Sequence, residues 1–138
     1  MNRFISKELI EKGWSGDKKY CATDEAGKNF LLRVSPIEEY DRKKNEFELM
    51  CQVAALNIPM CLPIEFGVSE EGVYSIQSWI NGIDAESEAN KLSDIEQYSY
   101  GYEAGQILKK IHTICAPSDI EEWDVFFNRK MNFFYKIS

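Results

Sequence analysis

The chain has 138 residues, of which 44% are hydrophobic and 28% are charged, and its formal net charge at pH 7 is −7. This balance indicates a globular protein with enough apolar material for a core and excludes a disordered chain. The acidic charge disfavours binding to nucleic acid, and no stretch approaches the ~20 apolar residues of a membrane-spanning helix.

Cysteine and basic residues give few further signals. The four cysteines are widely scattered and the chain has one histidine, so the sequence predicts no metal site and favours reduced thiols. Because the N-terminus lacks a long apolar segment, we expect a cytoplasmic protein. The basic cluster Arg42-Lys43-Lys44 is flanked by acidic residues and is interpreted as the solvated face of a helix.

The first third of the chain predicts strands. A short helix is expected from Ser6 to Glu11, followed by a break at residues 13–16. The alternating segment Lys18–Thr23 and the apolar segment Asn29–Val34 then predict a β-hairpin.

A helix is predicted to follow, from Ser35 to about Leu56. Ser35 and Glu38 have the spacing of a capping box, and Pro36 fits the first helical position. Apolar residues recur at helical spacing, which indicates one face packed on the strands. They are Ile37, Tyr40, Phe47, Met50, Cys51 and Ala54.

Two more strands are predicted at Pro63–Val68 and Val73–Ser78, joined by a turn. After Gly82 the pattern changes to that of helices, beginning with one short helix within residues 84–91.

Two further capping boxes predict the starts of longer helices. Ser93 and Glu96 open a helix that runs to about His112. Ser118 and Glu121 open a last helix toward the C-terminus. Aromatic residues cover most of its faces, so we expect exposed C-terminal helices that can form a homodimer. They are Phe126, Phe127, Phe133, Phe134 and Tyr135.

This order of elements predicts an α+β fold. Residues 1–82 are expected to form one lobe, with an antiparallel sheet of about five strands and one helix. Residues 83–138 are expected to begin a separate helical lobe.

Three segments carry the most specific signal, at Lys12–Tyr20, Leu31–Ser35 and Ser78–Gly82. They read Lys-Gly-Trp-Ser-Gly-Asp-Lys-Lys-Tyr, Leu-Leu-Arg-Val-Ser and Ser-Trp-Ile-Asn-Gly. In order and spacing they resemble the aminoglycoside phosphotransferase family, and residues 105–112 look like the first large-lobe helix of that family. The resemblance covers nearly the whole chain. It implies a protein-kinase-like N-terminal lobe followed by the first helices of the C-terminal lobe.

The resemblance implies that Gly13, Trp14, Ser15 and Gly16 form the loop over the nucleotide phosphates. Small residues let backbone N–H groups approach an anion closely. A Gly-x-x-Gly segment alone is more often a simple turn, so its position between the first two strands of a kinase-like lobe carries the interpretation.

Arg33 stands where the kinase family has a lysine that contacts phosphates and pairs with a helix glutamate. An arginine can do both with altered geometry, and the alternative is an arginine that points into solvent. Glu46 is the favoured partner because its spacing matches the family pattern, with Glu39 and Glu48 as alternatives.

Ser78, Trp79 and Ile80 would form the hinge at which backbone groups read the base. Trp79 could instead be a core residue, which is the commoner role of a tryptophan. The implied cofactor is ATP or GTP with Mg²⁺, and the implied substrate is a small molecule with a hydroxyl, such as a cationic aminoglycoside.

The His-Gly-Asp loop and the metal-binding aspartate of the family do not occur in the sequence. Asp124 and Asn128 do not replace them, because no histidine precedes them at the right distance and their spacing is one residue short. We therefore expect the N-terminal part of a kinase, with no catalytic or metal residue of its own and inactive alone. The alternatives are a non-catalytic kinase-like binding module and an inactive truncated product.

Overall fold

A computed structural model of the chain describes residues 4–13, 15–118 and 120–135. The five strands are β1 (Phe4–Leu9), β2 (Lys18–Asp24), β3 (Asn29–Ser35), β4 (Pro63–Ser69) and β5 (Gly72–Ser78). The helices are α1 (Tyr40–Ala54), α2 (Ala85–Glu88), α3 (Asp94–Ile111) and α4 (Trp123–Tyr135). Two 3₁₀ turns, Ile37–Glu39 and Ala89–Lys91, precede α1 and follow α2.

The five strands form one sheet in the order β1-β2-β3-β5-β4, and all neighbouring strands are antiparallel. Helix α1 connects β3 to β4, and the tight turn after β4 returns β5 to the place between them. The predicted α+β fold, a five-stranded antiparallel sheet with helices, is therefore confirmed.

The two faces of the sheet differ because successive residues of a strand point to opposite sides. One face carries the buried core, made of Ala22, Phe30, Leu32, Val34 and Ile76. The opposite face carries polar residues, with Lys19, Arg33 and Ser75 in register across β2, β3 and β5.

Helix α1 packs on the polar face near β4. The rings of Tyr40 and Phe47 lie 5.6 and 5.5 Å from the ring of Phe66, which confirms the predicted apolar side of the helix at these positions. Arg33 therefore lies on the same side of the sheet as the helix, and at this junction the structure forms its polar cluster.

Gly72 permits the turn between β4 and β5 to lie against the end of β3. Its φ is +124°, and a Cβ atom there would collide with the backbone oxygen of Ser35. No other residue type fits both the backbone angle and the close approach.

The predicted helix from Ser6 to Glu11 is wrong, because residues 6–9 belong to strand β1 and residues 10 and 11 follow it. A helix of one or two turns is costly to nucleate, whereas the edge of β2 supplies backbone partners along this segment. Lys7 lies opposite Ala22, and the Phe4 ring lies 5.7 Å from the ring of Phe30 at the core.

The predicted capping box at Ser35 is also wrong. Ser35 is the last residue of β3, and its hydroxyl donates to the Asp17 carboxylate at 2.8 Å instead of capping a helix. Pro36 precedes the 3₁₀ turn without a side-chain cap.

Of the two later boxes, one is confirmed. Ser93 and Glu96 cap α3 with both reciprocal hydrogen bonds. The box at Ser118 is wrong, because α4 begins only at Trp123 and the Glu121 carboxylate pairs with Arg129.

Helices α3 and α4 expose much apolar surface. No residue of α3 is buried, and the exposed large apolar side chains of the two helices include Tyr98, Tyr102, Leu108, Trp123 and Phe133. The side chains of Phe134 and Tyr135 lie outside the description. Within the residues described, no helix is both long and apolar enough to cross a membrane.

Candidate functional site

The loop between β1 and β2 contains the predicted glycine turn. Gly13 has a φ of +109°, and a Cβ atom there would occupy the position of the Lys19 ammonium. Lys19 in turn donates to the backbone oxygen of Lys12 at 2.6 Å. Ser15 and Gly16 are exposed, and Trp14 lies outside the described residues. Glycine at position 13 thus allows a cation to sit directly against the loop.

Asp17 ends this loop and is the centre of a charged cluster. Its side chain is 3% exposed, and it accepts hydrogen bonds from Arg33 Nε at 3.1 Å and Arg33 Nη2 at 2.5 Å. Lys43 Nζ on α1 contacts the other carboxylate oxygen at 2.8 Å, and so does the Ser35 hydroxyl. A single buried carboxylate therefore joins the end of the loop, strand β3 and helix α1.

The ionisation of Asp17 follows from these contacts. Burial on its own would raise the pKa of this carboxyl, but the hydrogen bonds from Lys43, Ser35 and Arg33 outweigh it and lower the pKa to about 2. Asp17 is thus charged at any ordinary pH, as a carboxylate between two cations should be.

The cluster borders a small cavity between the sheet and α1. Arg33, Lys43 and Glu46 line it together with Asp17 and Ser35, and Met50, Val73, Tyr74 and Ser75 complete the wall. Both signs of charge face the cavity, so a bound anion competes with carboxylates already present.

The predicted ion pair between Arg33 and Glu46 is wrong. Glu46 contacts Lys43 at 3.0 Å and Arg42 at 3.4 Å, whereas Arg33 pairs with Asp17. The reason is geometric, because Asp17 approaches Arg33 from the loop and accepts two hydrogen bonds from its planar fork. Glu46 reaches Arg33 only through Lys43 and Asp17.

The predicted hinge has a fixed start. Ser78 Oγ accepts a hydrogen bond from the backbone N–H of Leu62 at 2.7 Å, and the Ser78 N–H donates to the Leu62 oxygen at 2.8 Å. Trp79 is half-buried and Ile80 is exposed. The chain thus leaves the sheet at a defined point, with its next backbone groups outside the strand ladder.

Gln77 precedes the hinge and is buried, on the same face of β5 as Ser75. Its Nε2 group has no hydrogen-bond partner among the described residues. An unpaired buried amide carries a desolvation cost, so this group is a candidate contact for something bound at the hinge.

A second polar contact connects the loop to the segment after the hinge. The Lys12 ammonium pairs with the Asp84 carboxylate, which also caps α2, and Lys12 lowers the pKa of Asp84. Lys12, Gly13, Asp84 and Glu86 line an open cleft between these segments. Across residues 4–13, 15–118 and 120–135, no group of three or more His, Cys, Asp or Glu side chains could hold a metal ion.

Sequence reasoning missed Asp17 and Lys43 of the cluster, and Lys19 at the glycine loop beside it. Lys43 was interpreted with its neighbours as solvent-exposed, and Arg42 and Lys44 are exposed, but the Lys43 side chain is 12% exposed and points to Asp17. Asp17 and Lys19 both lie inside the Lys12–Tyr20 segment, so their place next to the glycine turn was the available signal.

An antiparallel five-stranded sheet with one helix on its polar face, a glycine loop between the first two strands and a cation on the third define a kinase-like N-terminal lobe. The chain belongs to the phosphotransferase enzyme family, whose model matches residues 8–135. The comparison with curated proteins found no match.

Proposed function

We propose that this chain supplies the nucleotide-binding part of a phosphotransferase that moves a phosphoryl group from ATP or GTP to a hydroxyl of a small molecule. Residues 1–82 would form the nucleotide-binding lobe, and residues 83–138 would begin the lobe that receives the acceptor. The net charge of −7 is compatible with a cationic acceptor such as an aminoglycoside.

The observation that carries the proposal is the placement of Arg33 at a cavity close to the glycine loop. A guanidinium has five N–H donors, and Asp17 engages Nε and Nη2. Among the described residues, nothing accepts from Nη1. Arg33 can therefore bind Asp17 and still offer N–H groups to a phosphate, which a compact ammonium could not do with the same fixed geometry.

Two further features fit a nucleotide. Because Gly13 has no Cβ atom, the Lys19 ammonium can lie next to its backbone, so a second cation contacts the loop that would cover the phosphates. At the other end of the site, the unpaired Nε2 of Gln77 lies next to the hinge residues Ser78, Trp79 and Ile80.

The roles of this chain's residues follow from these positions. Arg33 would neutralise phosphate charge, the backbone of residues 13–16 would approach the phosphates, and the hinge backbone would hold the base. The bound Mg²⁺ nucleotide supplies the phosphoryl group that is transferred. Phosphoryl transfer depends mainly on positioning and charge neutralisation, and these residues would provide a share of both.

Calorimetric titration of the 138-residue chain with Mg-ATP and Mg-GTP tests the proposal. We expect binding of at least one nucleotide, weakened about tenfold by Arg33→Met because a charge-assisted contact is lost. Arg129→Met is the matched control, since Arg129 is an exposed arginine on α4 whose partner, Glu121, is not part of the charged cluster. It should bind as the unchanged chain does.

Absence of binding by either nucleotide at millimolar concentration would contradict the proposal and favour a non-catalytic kinase-like binding module. Equal losses in Arg33→Met and Arg129→Met would indicate a general charge effect instead of a phosphate site at Arg33.

A further inference from the structure

Besides Arg33, the arginine proposed to bind phosphate, the charged cluster contains Asp17, Ser35 and Lys43. Asp17 accepts from two nitrogens of Arg33, from the Ser35 hydroxyl and from the Lys43 ammonium, and its side chain is almost completely buried. The four donor groups belong to three residues, two on β3 and one on α1. The arrangement fixes the carboxylate and, through it, each of its partners.

We propose that Asp17 is the positioning residue of this site, whose carboxylate holds the Arg33 guanidinium in the orientation that receives the nucleotide phosphates. The inference rests on the proposed nucleotide-binding function and extends it to a residue outside the predicted site. Asp17 would not touch the nucleotide and would act through Arg33.

The geometry of the two contacts supports this role. Nε and Nη2 lie on one edge of the guanidinium and both donate to Asp17 Oδ2, so this edge is held toward the carboxylate and Nη1 lies on the other side of the group. An arginine side chain in solvent samples many rotamers, and a preset arginine loses less rotamer entropy when a ligand binds. The same contact explains why an arginine suits position 33, because the fork can serve two anions at once.

Lys43 extends the network to α1. Its ammonium lies between the Asp17 carboxylate at 2.8 Å and the Glu46 carboxylate at 3.0 Å. Glu46 would thus influence Arg33 through Lys43 and Asp17, and the position of α1 would be tied to the end of the glycine loop.

Charge alone gives the opposite expectation. Asp17 is an anion beside the place proposed for phosphates, so its removal would favour phosphate binding if it acted only as a competing counterion. The sign of the change in affinity therefore separates a positioning residue from a competitor.

The test measures nucleotide affinity by calorimetry for the 138-residue chain and for Asp17→Asn, Asp17→Glu, Arg33→Met and the double variant D17N/R33M. We expect Asp17→Asn to weaken binding about tenfold, and Asp17→Glu to recover part of the loss because it restores the charge with a longer side chain. The double variant should bind no more weakly than Arg33→Met, since Asp17 acts through that residue. Glu71→Gln is the matched control, because Glu71 is an exposed carboxylate paired with Lys7 and should leave affinity unchanged.

A second measurement is independent of nucleotide. The ¹⁵N-resolved Nε–H signal of Arg33 should be protected from exchange in the unchanged chain and lose protection in Asp17→Asn. Equal or tighter binding by Asp17→Asn, or an unprotected signal in the unchanged chain, overturns the positioning role while the proposed function stands. Failure of the unchanged chain to bind nucleotide overturns both. If Asp17→Asn shows no thermal unfolding transition and is therefore not folded, Asp17→Glu takes its place in the comparison with the unchanged chain.

Discussion

The sheet and the helices that follow it use apolar residues in opposite ways. In β2, β3 and β5, apolar side chains form a buried core in which Leu32 is fully inaccessible. In α3 no residue is buried, and Leu108 is 51% exposed. The two regions have similar apolar content but different surroundings. Stability should therefore reside in the sheet, while α3 and α4 present apolar surface that another surface could cover.

The same contrast holds for charge. The exposed pairs Lys12–Asp84 and Lys7–Glu71 are solvated, and because water screens them they contribute little to stability. Asp17 is withdrawn from water and depends on its partners for its charge. Buried charges are expensive unless they are fully paired, so loss of one partner should matter far more there than at the surface.

The largest expected effect compares matched leucines in the two regions. Leu32→Ala should lower the free energy of unfolding by about 3 kcal/mol, because it opens a cavity in the core. Leu108→Ala should lower it by less than about 0.5 kcal/mol, because its side chain is mostly in solvent. Urea denaturation of both variants checks this.

A large loss in Leu108→Ala would show that α3 is covered in solution. If that loss grew with protein concentration, it would support the homodimer through the C-terminal helices, which stays a prediction. Equal small losses in both variants would contradict the core assigned to the sheet.

The next effect concerns Asp17 and pH. Its folded pKa is about 2, below the ordinary value near 4, so its charge stabilises the fold above pH ~4 and this contribution is lost as pH falls toward 2. Lowering the pKa of Asp17 from its ordinary value to about 2 corresponds to about 2 kcal/mol of stability. The difference in unfolding free energy between the unchanged chain and Asp17→Asn should therefore shrink by about 2 kcal/mol between pH 5 and pH 2. A difference that is constant with pH would mean that these partners do not lower the pKa of Asp17.

Much of the fold followed from local sequence patterns. The β2–β3 hairpin and the capping box at Ser93 depend on alternation and on side chains close in sequence, and both formed as expected. The helix predicted from Ser35 by its helical spacing also formed, but α1 begins only at Tyr40. The short segment Ser6–Glu11 did not form the predicted helix, because its pairing with β2 is a tertiary interaction that its own residues do not encode.

The site was harder to predict for the same reason. Arg33 and Glu46 were placed by resemblance, yet the partner of Arg33 is Asp17, which lies in a different element. Serine is a common helix N-cap, but the Ser35 hydroxyl donates a hydrogen bond to the buried Asp17 carboxylate instead. Which of several competing polar groups becomes buried depends on how the loop, strand and helix meet, and sequence spacing does not specify that.

A smaller effect separates two glycines of the same loop. Gly13→Ala should lower the free energy of unfolding by about 1 kcal/mol, because its φ of +109° disfavours a side chain and the new Cβ would displace the Lys19 ammonium. Gly16→Ala should be near neutral, because a Cβ there meets nothing within 4 Å. Thermal denaturation compares the two. A loss at Gly16 equal to that at Gly13 would mean that the loop is constrained by something other than the Gly13 backbone.

The smallest effect lies in the helical region, where two predicted boxes differ in outcome. Ser93 accepts from the Glu96 N–H and the Glu96 carboxylate accepts from the Ser93 N–H, so Ser93→Ala should destabilise the first turn of α3 by about 1 kcal/mol. Ser118→Ala has the same chemistry but no helix start to cap, and should leave α4 unchanged. Amide hydrogen exchange at residues 94–97 and 123–126 distinguishes the two helices. Because α3 is exposed, the loss at Ser93 should appear as local fraying with little change in the global unfolding transition. A global loss would instead tie α3 to the core of the sheet and remove the contrast between the two regions.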